Sequence, residues 1–159
     1  MAGKVIIVMG SDRDLDFSRE IANHLKKLSV EYGFRVASAH KSPLTVLDII
    51  KEHEDKKVVY ITVAGRSNAL SAFMDGNCSK PVIACPPYSE KFGGADIYSS
   101  LRVPSGIGSV TTIEPEGAAI AAAKILAIED PQILANVRNY QEAKRRDLEK
   151  ADQSVKQLK

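Results

Sequence analysis

No hydrophobic run in this 159-residue chain is long enough to cross a bilayer. The longest, Val58 to Ala64 with Thr62 inside it, falls far short of the roughly 20 residues a spanning helix needs. Met1-Ala2-Gly3-Lys4 runs straight into a strand pattern, with neither the apolar h-region nor the small-residue cleavage site of a secretory leader. Cysteine is scarce: Cys78 and Cys85 have neither metal-type nor redox-type spacing. Two thiols in a chain without an export signal are expected to be buried, reduced and cytoplasmic. A net charge of +2 is too small to argue for nucleic acid, though it suits small anionic ligands. The chain has no Gly-Lys-Ser/Thr of a Walker loop and no Gly-x-Gly-x-x-Gly fingerprint. His24 and His53 lie in helical patterns among charged neighbours and are expected to be solvated or half-buried, without a role.

What is present reads as one domain over residues 1–159, with 44% hydrophobic and 26% charged residues, ordinary values for a globular chain. Strand and helix patterns alternate. Lys4 to Met9 is a β-branched run, followed by Phe17, Ile21, Leu25 and Leu28 at helical spacing between Asp14 and Leu28. Val30 to Ala37 reads as a second strand, and Leu44, Leu47 and Ile50 mark one face of a second helix. Val58 to Val63 is almost unbroken apolar sequence, the pattern of a strand covered on both faces. Leu70, Phe73 and Met74 follow on a third helix stopped by Asp75-Gly76-Asn77, and Pro81 to Cys85 reads as a fourth strand. Such alternation predicts βαβ units, hence a three-layer α/β fold with a parallel sheet, flavodoxin-like or Rossmann-like.

From Pro86 to Ser109 the texture changes: Pro86-Pro87, Gly93-Gly94 and Pro104-Ser105-Gly106 break up any long element. A punctuated stretch of this length is usually a functional loop. One short helix is expected over Asp96 to Leu101, with Asp96 as its cap, and a fifth strand over Val110 to Ile113. Gly117 to Ile128, with six alanines, predicts a helix that other backbone can approach closely. Pro131 opens a long C-terminal helix, 131–159, on which Ile133, Val137, Tyr140, Leu148, Ala151, Val155 and Leu158 trace a thin apolar stripe. A stripe that narrow is poorly buried on one small domain, which places this helix at a subunit interface.

Chemistry gathers where strands end. Ser38-Ala39-His40-Lys41-Ser42-Pro43 puts a histidine and a lysine on the turn between the second strand and the second helix. In open α/β sheets the crevice outside the carboxyl ends of the strands is where ligands bind. Imidazole, which titrates near neutral pH, can move protons there. The plainer reading of the same residues is a helix start, with Ser42 as N-cap and Pro43 at the first helical position. Gly10-Ser11-Asp12-Arg13-Asp14 and Ala64-Gly65-Arg66-Ser67-Asn68 end the first and third strands. Small residues leave N–H groups accessible to an anion, Ser11 can donate to a phosphate and Asp14 suits ribose hydroxyls. Ser11-x-x-Asp14 is equally a capping-box start. From chemistry alone the three turns suggest a small phosphate-bearing molecule, one histidine and one lysine.

Taken together, Met9-Gly10-Ser11…Asp14, Ser38-Ala39-His40-Lys41, Ala64-Gly65-Arg66-Ser67-Asn68-Ala69-Leu70, Cys85-Pro86-Pro87 and Ala95-Asp96-Ile97-Tyr98-Ser99-Ser100-Leu101-Arg102-Val103-Pro104-Ser105-Gly106 resemble the phosphoribosylaminoimidazole carboxylase family of purine biosynthesis, nearly continuously to about Ile128. The bacterial mutase class of that family carries a second histidine, followed by Leu-Pro-Gly, in the third turn, and an arginine after the first histidine. Ala69 and Lys41 stand at those places here, which resembles the second class, the one that carboxylates aminoimidazole ribonucleotide with carbon dioxide. The resemblance implies His40 as the proton-transfer residue and Ser11, Asp14, Ser38, Lys41, Gly65 and Ser67 as the lining of the nucleotide site. It implies no metal, biotin or ATP, and a cytoplasmic homo-tetramer or homo-octamer that binds neither nucleic acid nor membrane. Arg13 departs from the pattern, since the family usually has serine there. The competing readings are the mutase reaction on the same fold and a non-catalytic phosphoribosyl-nucleotide binding module.

Overall fold

The computed structural model describes residues 3–158. Its elements run β1 (Lys4–Met9), α1 (Leu15–Lys27), β2 (Glu31–Val36), α2 (Pro43–Glu52), β3 (Val58–Val63), α3 (Ala69–Asp75), β4 (Val82–Ala84), α4 (Tyr98–Leu101), β5 (Val110–Thr111), α5 (Pro115–Leu126) and α6 (Pro131–Lys156). The five strands form one parallel sheet in the order β2-β1-β3-β4-β5. With helices on both faces this is the flavodoxin-like, three-layer α/β fold.

Period-two alternation along β1 divides the core. Val5, Ile7 and Met9 pack on one face with Ile21 and Leu25 of α1 and Ala118, Ala119, Ala122 and Ala123 of α5. Ile6 and Val8 face the other way, toward Val46 and Ile49 of α2 and Leu70 and Met74 of α3. All six positions of β3 are buried, as its apolar run requires. Register then sets the site. Met9 pairs with Val36 on one side and Val63 on the other, so β1, β2 and β3 end level with each other.

Four sequence-based expectations are corrected. On α2 the buried side chains are Val46, Ile49 and Ile50, whereas Leu44 is 73% exposed and Leu47 also faces solvent. Both sets have helical spacing and share Ile50; the position of the sheet decides between them. His53 is buried, its Nδ1 2.8 Å from the Ile49 carbonyl and its ring edge-on to Tyr60. Asp96 does not cap a helix; its carboxylate reaches across to the turn after β3. The stripe on α6 is not uniformly poorly buried, because Ile133 and Val137 belong to the core of this domain. The alanines of α5 let α6 approach, and beyond Tyr140 the helix leaves the body, with Leu148 72% exposed.

The base of α6 is fixed by polar contacts. Asp130 Oδ1 accepts the amides of Gln132 and Ile133 at 2.9 and 3.1 Å, and Asn136 donates to the Leu28 carbonyl at 3.1 Å. Tyr140 donates its hydroxyl to Glu116 Oε1 at 2.6 Å, and Lys144 Nζ lies 3.1 Å from the same oxygen. These two donors, the tyrosine first, hold the Glu116 carboxyl below its ordinary range.

Candidate active site at the carboxyl edge of the sheet

Because β1, β2 and β3 end level, the turns that follow them open side by side. The Gly10 amide donates to the Val63 carbonyl and the Ala37 amide to the Met9 carbonyl, both at 2.9 Å, carrying the ladder to the lip of the cleft. Gly10 is needed for this closeness: a Cβ there would sit 3.2 Å from the Ala64 methyl. Together with Pro87, Tyr88 and Ser89 after β4, the three turns enclose a cleft of about 940 Å³. It lies where β1 and β3 lead their chains to opposite sides of the sheet, the switch point of this topology.

In the first turn Ser11 Oγ accepts the Arg13 amide at 3.3 Å and donates to Asp12 at 3.1 Å, ahead of a 3₁₀ turn over Asp12–Asp14 that leads into α1. Asp14 is half-buried, and burial pushes its carboxyl above the ordinary value; the Ser11 amide opposes this rise and the Asp12 charge adds to it. Such a carboxylate gains from accepting hydrogen bonds from ligand hydroxyls.

The second turn closes on itself. The Ser38 amide donates to Ser42 Oγ at 3.0 Å, the Ser42 amide to the Ser38 carbonyl at 2.8 Å, and the Lys41 amide to Ser38 Oγ at 3.2 Å. Ser42 does precede Pro43 at the head of α2, but its hydroxyl bonds back to Ser38 and not forward to the helix amides. The brace leaves Ala39, His40 and Lys41 on the crest of the turn, facing the cleft.

In the third turn Gly65, Arg66 and Ser67 face the cleft and Asn68 lies buried behind them, accepting the Ser71 amide at 3.3 Å as the cap of α3. Arg13, Lys41 and Arg66 all line the cleft, and among the described residues none of them forms an ion pair. Three free cations, hydroxyls and backbone N–H groups suit an anionic, hydroxylated ligand. Cys85, directly after β4, does not line the cleft; it is fully buried in the core, and that burial pushes its thiol up to about 12. No grouping of three metal-ligating side chains occurs among the described residues. The other concavity described, about 290 Å³, sits at the opposite edge of the sheet under the 2.6 Å Lys57–Glu129 ion pair and carries no histidine.

The cleft therefore holds Ser11, Asp14, Ser38, His40, Lys41, Gly65 and Ser67 together. Sequence reasoning missed Tyr88 and Ser89 as wall residues, although Pro86-Pro87 had marked the loop, and it missed Asn68 and Asp96 as the frame of the third turn.

Residues 4–147 match the family model described as AIR carboxylase. A phosphoribosylaminoimidazole carboxylase of Archaeoglobus fulgidus is 54% identical over 153 residues, 96% of this chain and 85% of that one. One of Treponema denticola is 46% identical over 154 residues, 96% of this chain and 97% of that one. The crystal structure of Treponema denticola PurE is similar at a TM-score of 0.94 and 45% identity, covering 98% of this chain and 99% of that chain.

Proposed function

The chain belongs to the AIR carboxylase family, and from that membership we propose how its cleft carboxylates 5-aminoimidazole ribonucleotide in purine biosynthesis. The observation that carries the reading is His40, held on the crest of a braced turn beside Lys41 in the largest cleft described. The exocyclic amino group makes the neighbouring ring carbon of the substrate enamine-like. That carbon attacks carbon dioxide, a carbon–carbon bond forms, and one C=O electron pair moves onto oxygen to give a carboxylate. The ring carbon still bears its proton. Neutral His40 takes that proton, the C–H electron pair returns to the ring, and aromaticity is restored in 4-carboxy-5-aminoimidazole ribonucleotide. Carbon dioxide offers few handles, so the phosphoribosyl group supplies the binding that positions the reacting carbon. Ser11, Ser38, Lys41, Gly65 and Ser67 hold the phosphate and the heterocycle, and Asp14 the ribose hydroxyls. The proton step uses only side chains, and neither metal, biotin nor ATP enters the scheme.

Carbon dioxide itself is the electrophile. Ala69 opens α3 without a ring nitrogen to serve a migrating carboxylate, and a neutral linear molecule enters a half-apolar cleft at far less desolvation cost than bicarbonate. In a rapid-mixing assay without ATP, fresh carbon dioxide gives an immediate burst, while bicarbonate gives a lag that carbonic anhydrase abolishes. An immediate burst with bicarbonate rules carbon dioxide out. Turnover of only the N-carboxylated nucleotide identifies the mutase instead.

The protein assembles as a homo-tetramer or homo-octamer. Leu148 and Val155 on the free half of α6 and Leu158 just past its end, with Val36 and Leu44, leave apolar surface that a second copy of the chain would cover. Light scattering at micromolar concentration is expected to give four or eight times 17.3 kDa, and a monomer there refutes the assembly. No helix among the described residues is long and apolar enough to cross a membrane, and both cysteines are free. That thiol state supports action in the cytoplasm.

A further inference from the structure

The third turn of the cleft is held in a conformation that its own sequence disfavours. Arg66 has φ of +62°. In this left-handed region Cβ crowds the carbonyl, and a non-glycine residue stays there only when its surroundings over-determine it. Those surroundings come from one segment about thirty residues further along the chain. Asp96 Oδ2 accepts the Arg66 amide at 2.9 Å. Ser99 Oγ accepts the Asn68 amide at 2.9 Å while donating to the Asp96 carbonyl at 2.7 Å. Ser100 Oγ accepts the Asn68 side-chain amide at 2.9 Å, and both of these side chains are buried. The turn is therefore gripped at Arg66 and at Asn68, and Ser67, which lines the cleft, is suspended between the two grips. Asp96 itself stands behind the wall and is not part of the cleft lining.

We infer that Asp96 is a positioning residue for the nucleotide site, its carboxylate holding the Gly65–Asn68 turn in the one conformation that presents Ser67 to the ligand. The inference rests on the reading of the cleft as that site. Removing the grip lowers the population of the binding-competent turn, and apparent affinity falls by the same fraction. Asp96→Ala is expected to raise KM for aminoimidazole ribonucleotide about tenfold while kcat stays within about twofold. Asp96→Asn keeps a carbonyl oxygen that can accept the Arg66 amide, and KM is expected to stay near that of the parent.

Amide hydrogen exchange provides a readout that needs no substrate. The Arg66 amide is expected to exchange slowly in the parent and in Asp96→Asn, and about tenfold faster or more in Asp96→Ala. Equal Arg66 exchange in parent and Asp96→Ala overturns the grip. Faster exchange with unchanged KM, or a loss confined to kcat, overturns the positioning role. An asparagine variant as impaired as the alanine variant overturns hydrogen bonding as the cause. Should Asp96→Ala not fold, Ser99→Ala loosens the second grip and carries the same KM expectation, with an unchanged KM overturning the role. A parent protein without turnover on the ribonucleotide overturns the proposed reaction, and the Arg66 exchange comparison then decides the grip alone.

Discussion

Replacing His40 by Asn is expected to lower turnover by roughly 10²–10⁴-fold while nucleotide binding persists, the loss typical of a positioned acid–base group. Asparagine keeps a planar polar side chain but has no nitrogen that takes up a proton near neutral pH. The turn should survive the change, because its brace runs through Ser38 and Ser42 and involves no atom of the imidazole. Steady-state rates together with calorimetric titration of aminoimidazole ribonucleotide separate the outcomes. Lost turnover with retained binding assigns the proton to His40. Near-normal turnover removes His40 from the mechanism, and joint loss of both marks it as a binding group.

The second large effect belongs to the sheet beneath the site. Ile61 is fully buried at the centre of β3, paired with Ile7 of β1 and Ile83 of β4. Ile61→Ala is expected to cost about 2–5 kcal/mol, the transfer term of the lost groups plus the cavity they leave. The same truncation at Ile128, which is 82% exposed, is expected to stay within about 0.5 kcal/mol. Denaturant unfolding with an unchanged slope measures both. A loss below about 1 kcal/mol at Ile61 contradicts a sheet packed on both faces.

The strands and the first three turns are legible in the sequence because their signals are local. The short, β-branched run at β3 has the pattern of a doubly covered strand, and a histidine between a strand pattern and Ser42-Pro43 falls on a strand-to-helix turn. What escapes sequence reasoning depends on neighbours far along the chain. Leu44 and Val46 are equally apolar and both fit a helical face, and only the placement of the sheet buries one and exposes the other. Asp96 has the look of a helix cap, yet its partner is an amide about thirty residues earlier. His53 sits among charged neighbours in sequence but turns its ring toward Tyr60, and charge counting cannot reveal that rotation. The stripe on α6 divides at Tyr140 because the alanine-lined α5 covers only its first turns.

The strand order also has a consequence in time. β1 is synthesised first, yet it lies inside the sheet with β2 on one flank and β3 on the other. Until Val63 has been made, one edge of β1 has no partner, and the parallel pairing it awaits closes a long loop of chain before any contact rewards it. The last wall of the cleft, Pro87 to Ser89, is made later still. A nascent or partly unfolded chain thus has no pocket for the ribonucleotide. Binding falls entirely on the finished molecule, and every tenfold excess of nucleotide over its dissociation constant adds about 1.4 kcal/mol to the molecule's resistance to unfolding.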